Sequence, residues 1–378
     1  MSDSQPKNTF ERLVLATLQE PELYVPGLSV EEASQRYHVS PEKIVKLSSN
    51  ENPLGPSPEA MKVVESMLTE LHRYPDSKAL ALRAVIGEKE GLTRDNVIFG
   101  AGSSEIMSFI IRAFSNPGDE IVCMDPSFSV YTELTKADNR VSVQIPLQPP
   151  YQLTKEAVQA VLTERTRVIF LTRPNNPTSC LIPLALFEEI ALMAKDAVVV
   201  SDEAYVEFAD DYRQQTAASL VNKLPNVMVT RTFSKAYGIP NLRIGYALGP
   251  ANAIQYLFRV KPKWNVGNVA QKAAIAALND AAHLEKTLKT VSEGRDYLNQ
   301  AFNAIPGLEV LPGAQGNFIM VKVSGAGMTA EQFTDALGSE GYIIRGDFLP
   351  DYVRISIGTM NENQGLIAAT QRILEQAS

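Results

Sequence analysis

"RVIFLTRPNNPTSCLIPLALFEEIALMAKDAVVVSDEAY", residues 167–205, holds two apolar runs separated by a helical stretch, and each run ends in polar groups. "RVIFLT" and "AVVVSD" are too continuously apolar for a sheet with one wet face, so both faces of these strands are expected to be covered. Between them, "IPLALFEEIALMAKD" repeats its apolar residues at three- and four-residue spacing, the period of a helix lying on a core. Strand, helix and strand in this order predict neighbouring parallel strands. Working outward, the same alternation runs from about residue 95 to 250, with further strands expected at "NVIFG", "DEIVCMD", "NVMVTRTF" and "RIGYALG". The fold class is therefore α/β, with a large domain whose mostly parallel sheet is flanked by helices. After "PKWNVGNVAQKAAIAAL" the mixture changes, and "LEVLPGAQGNFIMVKV" and "GYIIRGDFLPDYVRISIG" predict a smaller α+β domain. The expected division is 1–45 for an N-terminal arm and part of the small domain, 46–262 for the large domain, and 263–378 for the small C-terminal domain.

A chain of 378 residues, 45% hydrophobic and 21% charged, can bury a sizeable core. Its net charge of −8 lacks the basic footprint of a nucleic-acid or anionic-membrane partner. No apolar run approaches the roughly 18 residues of a membrane helix. The first thirty residues lack a basic start followed by an apolar core, so a cytoplasmic location is expected. Two cysteines, Cys123 and Cys180, and three scattered histidines predict neither a disulfide framework nor a metal site.

In an open α/β sheet, ligands bind beyond the carboxyl ends of the strands. "RPNNPTS" follows one strand, "DEAY" another and "RTFSK" a third, so Asn176, Asp202, Tyr205 and Lys235 should converge at one sheet edge. Each has an ordinary reading on its own: a turn for Asn-Pro, a helix cap for Asp202, a solvated surface amine for Lys235. Together they supply an amine, a carboxylate, a phenol and an amide. A lysine can form an imine with an aldehyde, and pyridoxal 5'-phosphate is the cofactor that makes such an imine an electron sink. A buried carboxylate, for which Asp202 is the candidate, would keep its pyridine nitrogen protonated. Tyr205 and Asn176 could donate to the ring's 3-oxygen. "GAGSSE" at 100–105, after a strand and opening a helix, offers a phosphate site, with Ser234 and Arg243 adding a hydroxyl and a cation. The same segment resembles a truncated dinucleotide fingerprint, but Glu105 stands at its third glycine.

"SNENPLGPSP", "RYPD", "GAGSSE", "RPNNPT", "DEAYVEF", "TFSKAYGIPNLRIGYA", "WNVGNVAQ" and "VRISIGT" in this order resemble the fold-type I pyridoxal-phosphate aminotransferases, most nearly the histidinol-phosphate aminotransferase branch. The resemblance runs from about residue 24 to the end. It implies that Lys235 joins the cofactor aldehyde and then moves a proton between substrate carbon and cofactor. It likewise implies that Asp202 meets the pyridine nitrogen, and that Tyr205 and Asn176 meet the 3-oxygen. The amides of Gly102 and Ser103, with Ser234 and Arg243, would hold the phosphate, and Phe128 would stack on the ring unless it is a plain core aromatic. Tyr74 of "RYPD" is similar to a tyrosine offered to the neighbouring subunit's cofactor, which implies a homodimer with shared active sites. Tyr24, Asn52, Arg345 and Arg354 are placed with the substrate. Tyr24 is explained equally by an N-terminal anchor, and Arg345 by a pairing with Asp347. Arg354 has support from the residues alone, since an arginine inside an apolar strand is costly without an anion.

The reaction so implied is ping-pong, with glutamate leaving its amino group and imidazole acetol phosphate collecting it, a step of histidine biosynthesis. Three departures stand out: Ser104, where aspartate is common; Ser179, where glycine is usual; and "KWNVGN" in place of "PFNVN". The third touches the substrate side and keeps open an aromatic amino acid aminotransferase. A pyridoxal-phosphate decarboxylase acting on a phosphorylated amino acid is a further alternative.

Overall fold

Residues 9–18 and 26–377 are described by the computed structural model. Seven strands form the principal sheet: β1 (Val97–Gly100), β2 (Glu120–Asp125), β3 (Val141–Pro146), β4 (Thr166–Thr172), β5 (Val198–Asp202), β6 (Val227–Thr232) and β7 (Gly245–Leu248). Their order is β1-β7-β6-β5-β4-β2-β3. Val168, Ile169, Phe170, Val199, Val200, Val227 and Val229 are all fully buried although neighbours point to opposite faces, because helices cover both sides. Each such side chain contributes about 1.5–3 kcal/mol on burial.

Two features differ from the simple alternating pattern. β7 runs antiparallel to both neighbours, β1 and β6. The connection from β6 holds one 3-10 turn, Pro240–Leu242, and no crossover helix, so the chain returns antiparallel. β3 is a strand that the apolar pattern does not reveal. It is the sheet edge, paired only with β2, and its Val141 is 41% exposed. An edge strand tolerates the mixed polarity of "VSVQIP".

A second sheet contains β8 (Glu309–Val310), β9 (Phe318–Lys322), β10 (Arg345–Leu349) and β11 (Tyr352–Ser356), antiparallel in the order β10-β11-β9-β8. A short parallel pair, Val45–Lys46 with Tyr342–Ile343, ties the early chain to this region. One apolar cluster reaches from Val199 and Val229 of the principal sheet to Phe318 and Val353 of the second. The Tyr205 and Phe318 rings meet edge-on across the junction, 4.9 Å between centroids. No helix among the described residues is long and apolar enough to cross a membrane.

Register sets up the site. Thr172, Asp202 and Thr230 are direct partners across β4, β5 and β6, so three polar side chains form one row at the carboxyl ends of buried strands.

Candidate active site

The strand ends open into a cavity of about 410 Å³. Ser103, Phe128, Asn176, Asp202, Tyr205, Ser234, Lys235, Arg243, Arg345 and Arg354 all line it, although they come from both sheets and the loops between. Ser49, Asn50, Thr172 and Phe348 complete parts of the wall.

Lys235 follows β6 and its Nζ donates to Ser49 O at 2.8 Å. The amine also lies 5.8 Å from the Tyr205 ring centroid. Part of the side chain faces the cavity, yet protein surrounds the nitrogen. Burial, and then the positive charges of Arg354 and Arg243, push its pKa down to about 7, against the opposing pull of Glu51. An amine so placed is substantially uncharged near neutrality, as an imine-forming nitrogen and a proton carrier must be.

Asp202 is 2% exposed. Its Oδ2 accepts from Tyr131 Oη at 2.5 Å and its Oδ1 from Thr230 Oγ1 at 3.0 Å. Burial raises its pKa to about 6, and these two hydroxyls hold it below where burial alone would put it. The register row explains the Thr230 bond; Tyr131 reaches Asp202 from the Val130–Ala137 helix.

The hydroxyl of Tyr205 accepts from Asn50 Nδ2 at 3.2 Å and, at the limit of a hydrogen bond, from Asn176 Nδ2 at 3.5 Å. Asn50 was not legible as a site residue. Its backbone is left-handed, and Ser356 and Asn317 hold it in place.

A candidate phosphate cradle opens the helix α1 (Ser103–Phe114), whose N-cap is Gly102 at φ 82° and ψ 167°. That conformation is open essentially only to glycine. A Cβ at this position would also collide with the Arg243 guanidinium, which lies over it. Ser234 sits beside the cradle, its Oγ accepting from Thr232 Oγ1 at 2.9 Å. Helix amides, a hydroxyl and an arginine together suit a phosphate.

On the opposite wall, Arg345 and Arg354 are direct cross-strand partners on β10 and β11. Like charges in this relation repel. Phe348 lies between them, 4.9 Å from the Arg345 guanidinium carbon and 4.8 Å from that of Arg354. Arg345 forks onto Asp347, its Nε donating to Oδ1 at 2.7 Å. Arg354 donates to Asn176 Oδ1 at 2.6 Å and to Ser48 O.

One expected contact is not found in the cavity. Asn52 does not line the cavity, which corrects its placement with the substrate. Its Nδ2 donates to Ala236 O and Thr287 Oγ1, and its Oδ1 accepts from Leu54 N, so the amide is spent on the loop. Tyr74 is 81% exposed and lies on Trp264, 5.2 Å between centroids, outside the cavity of this chain. Tyr24 lies outside the described residues.

A reactive amine, a buried carboxylate across the cavity and an anion cradle at one end fit pyridoxal 5'-phosphate. The paired arginines could offer a second anion site. Among the described residues no group of three or more His, Cys, Asp or Glu could hold a metal ion.

Comparisons with known proteins agree with this geometry. A family model described as aminotransferase class I and II matches residues 42–370. A histidinol-phosphate aminotransferase of Anaeromyxobacter sp. (strain Fw109-5) is 38% identical over 355 residues, 93% of this chain and 96% of that protein. One from Akkermansia muciniphila has the same identity and coverage. In fold, the chain is similar to the crystal structure of the Sinorhizobium meliloti histidinol-phosphate aminotransferase in complex with pyridoxal-5'-phosphate. The TM-score is 0.84 at 24% identity, covering 97% of this chain and 98% of that one.

Proposed function

The chain belongs to the class I and II aminotransferases, and from that premise we propose that it is a histidinol-phosphate aminotransferase of histidine biosynthesis. It is a pyridoxal-phosphate-dependent transferase acting on small molecules. The observation that carries the substrate reading is the Arg345–Arg354 pair lining one cavity with Lys235. Histidinol phosphate and glutamate share an amino group beside a distal or α anion, and two adjacent arginines can serve either.

When bound, the cofactor supplies an aldehyde carbon for the amine and a ring that accepts the electron pair released at the substrate carbon. Lys235 Nζ, poised near pKa 7, would take the proton from the substrate carbon and hold it for return. Asp202 would hold the ring nitrogen, Tyr205 and Asn176 would orient the ring oxygen, and Phe128 would cover the ring face. Gly102, Ser103, Ser234 and Arg243 fix the phosphate. Arg354 takes the carboxylate of glutamate, and Arg345 with Arg354 takes the phosphate of the other substrate. Glutamate would leave its amino group with the cofactor and depart as 2-oxoglutarate before the keto acceptor enters to collect that group.

In half-reactions followed by cofactor absorbance, histidinol phosphate should react at least about tenfold faster than phenylalanine or tyrosine, whose carboxylate can engage Arg354 but which lack a phosphate for the Arg345–Arg354 pair, the scale of one lost charge-assisted contact. A faster phenylalanine reaction would replace this reading with an aromatic aminotransferase, and release of carbon dioxide with a decarboxylase.

The same reading makes the protein a homodimer with shared active sites. Tyr74 lies in an apolar surface with Leu68, Leu71 and Trp264, 81, 61, 65 and 51% exposed respectively. A second subunit covering this surface would receive Tyr74 at its own phosphate cradle. Sedimentation should give twice the 41.4 kDa chain mass; a monomer at micromolar concentration would remove the shared site. Both cysteines are free and buried, which fits the reducing cytoplasm. We also place the domain divisions at 45/46 and 262/263.

A further inference from the structure

We propose that Tyr131 is a positioning residue that locks the Asp202 carboxylate and the Phe128 ring into one unit beneath the cofactor. This rests on reading the cavity as a pyridoxal 5'-phosphate site. Tyr131 itself does not line the cavity and is fully buried. Its hydroxyl lies 2.5 Å from Asp202 Oδ2 and 2.7 Å from Thr172 Oγ1. Asp202 has no proton to give when ionised, so the tyrosine donates to it and is left to accept from Thr172.

The ring is fixed as firmly as the hydroxyl. It stacks on Phe170 at 5.0 Å with 10° between planes, and meets Phe128 edge-on at 5.8 Å and 89°. One side chain therefore touches both the group expected at the cofactor's nitrogen and the group expected on its face. A shift of Tyr131 would move the two together.

Removal of the hydroxyl has a specific consequence. Thr230 Oγ1 and the Ala204 amide remain on Asp202, while the neighbouring Glu203 carboxylate repels it. Glu203 is partly neutralised by Arg173 and Arg231, at 3.4 and 3.1 Å. Among the described residues no other hydroxyl donates to Oδ2, so the carboxylate loses its charge-assisted donor in a water-poor site and becomes a poorer counter-ion. The bound ring is then less positive, and protons elsewhere on the cofactor are held to higher pH.

Tyr131→Phe tests this, because it keeps both ring contacts and deletes only the oxygen. Titrating apoprotein with pyridoxal 5'-phosphate should show about tenfold or more weaker binding, the scale of one hydrogen bond to a charged group. The pH midpoint of the bound cofactor's visible absorption should move upward by about half a unit or more. Phe170→Leu, which loosens the stack but spares the hydroxyl, should lower the melting temperature and move that midpoint less than Tyr131→Phe does. Cofactor affinity within twofold of the unaltered protein, together with an unmoved midpoint, would overturn the proposal even if Tyr131→Phe melts earlier. An unaltered protein that takes up no cofactor would overturn the cavity reading and this inference with it.

Discussion

Lys235→Ala should abolish any borohydride-reducible link to pyridoxal 5'-phosphate and lower amino transfer by about 10⁴-fold or more, while the protein remains folded. The size follows from the two tasks that meet at one nitrogen: covalent capture and general acid–base transfer, the second alone contributing up to about 10⁴-fold. Folding should be spared because the amine, among the described residues, donates to Ser49 O alone, and sits where burial and two arginines disfavour its charge. The depressed pKa adds an independent measurement. Only the uncharged amine attacks an aldehyde, so the rate at which apoprotein captures the cofactor should rise with pH and level off above about 7. A rate that keeps climbing towards pH 10 would show an ordinary solvated lysine and remove the basis for the base assignment. Activity of Lys235→Ala within tenfold of the unaltered enzyme would do the same.

Much of this site was legible because strand ends are visible as the limits of apolar runs. Asp202 and Lys235 each follow such a run, and register then brings them to one edge. The sheet's direction was less legible: "RIGYALG" reads as a strand in either sense, and only the helix-free connection makes β7 antiparallel. Tyr131 and Asn50 escaped for a different reason. Their effect depends on partners 71 and 155 residues away, Asp202 and Tyr205, and no local spacing announces such contacts. Asn52 stands outside the cavity because the loop "SNEN" turns at its end: Ser49, Asn50 and Glu51 line the cavity while Asn52 turns back to Ala236 and Thr287. Ser179, where a glycine is usual, keeps the left-handed turn at φ 61°, and its hydroxyl accepts from Gly316 N at 2.8 Å. That bond offsets part of the conformational cost and joins the turn to the second sheet's approach loop.

Asp202→Asn should separate catalysis from stability in opposite directions. The substitution keeps the shape but presents an uncharged amide to the cofactor ring, so the ring nitrogen loses the counter-ion that favours its protonation. Loss of one preorganised electrostatic group of this kind lowers kcat by about 10²–10³-fold. The fold responds differently. Asp202 holds its proton more tightly in the folded apoprotein, at a pKa of about 6, than the ordinary carboxyl at 3.8. The cost of ionising it is therefore fully present above pH 6 and fades as pH falls from 6 towards 4, amounting to roughly 2–3 kcal/mol. At pH 8, apo Asp202→Asn should melt no lower than the unaltered apoprotein, and the difference should shrink towards pH 4. With cofactor bound the order should reverse, because the unaltered protein gains the ring-nitrogen contact and the variant does not. Thermal melts of both proteins at pH 4.5 and 8, with and without pyridoxal 5'-phosphate, read all four states. A variant that melts much earlier than the unaltered protein as apoprotein at pH 8, yet transfers amino groups at an undiminished rate, would mean that Asp202 serves the fold through Tyr131 and Thr230 and not the cofactor.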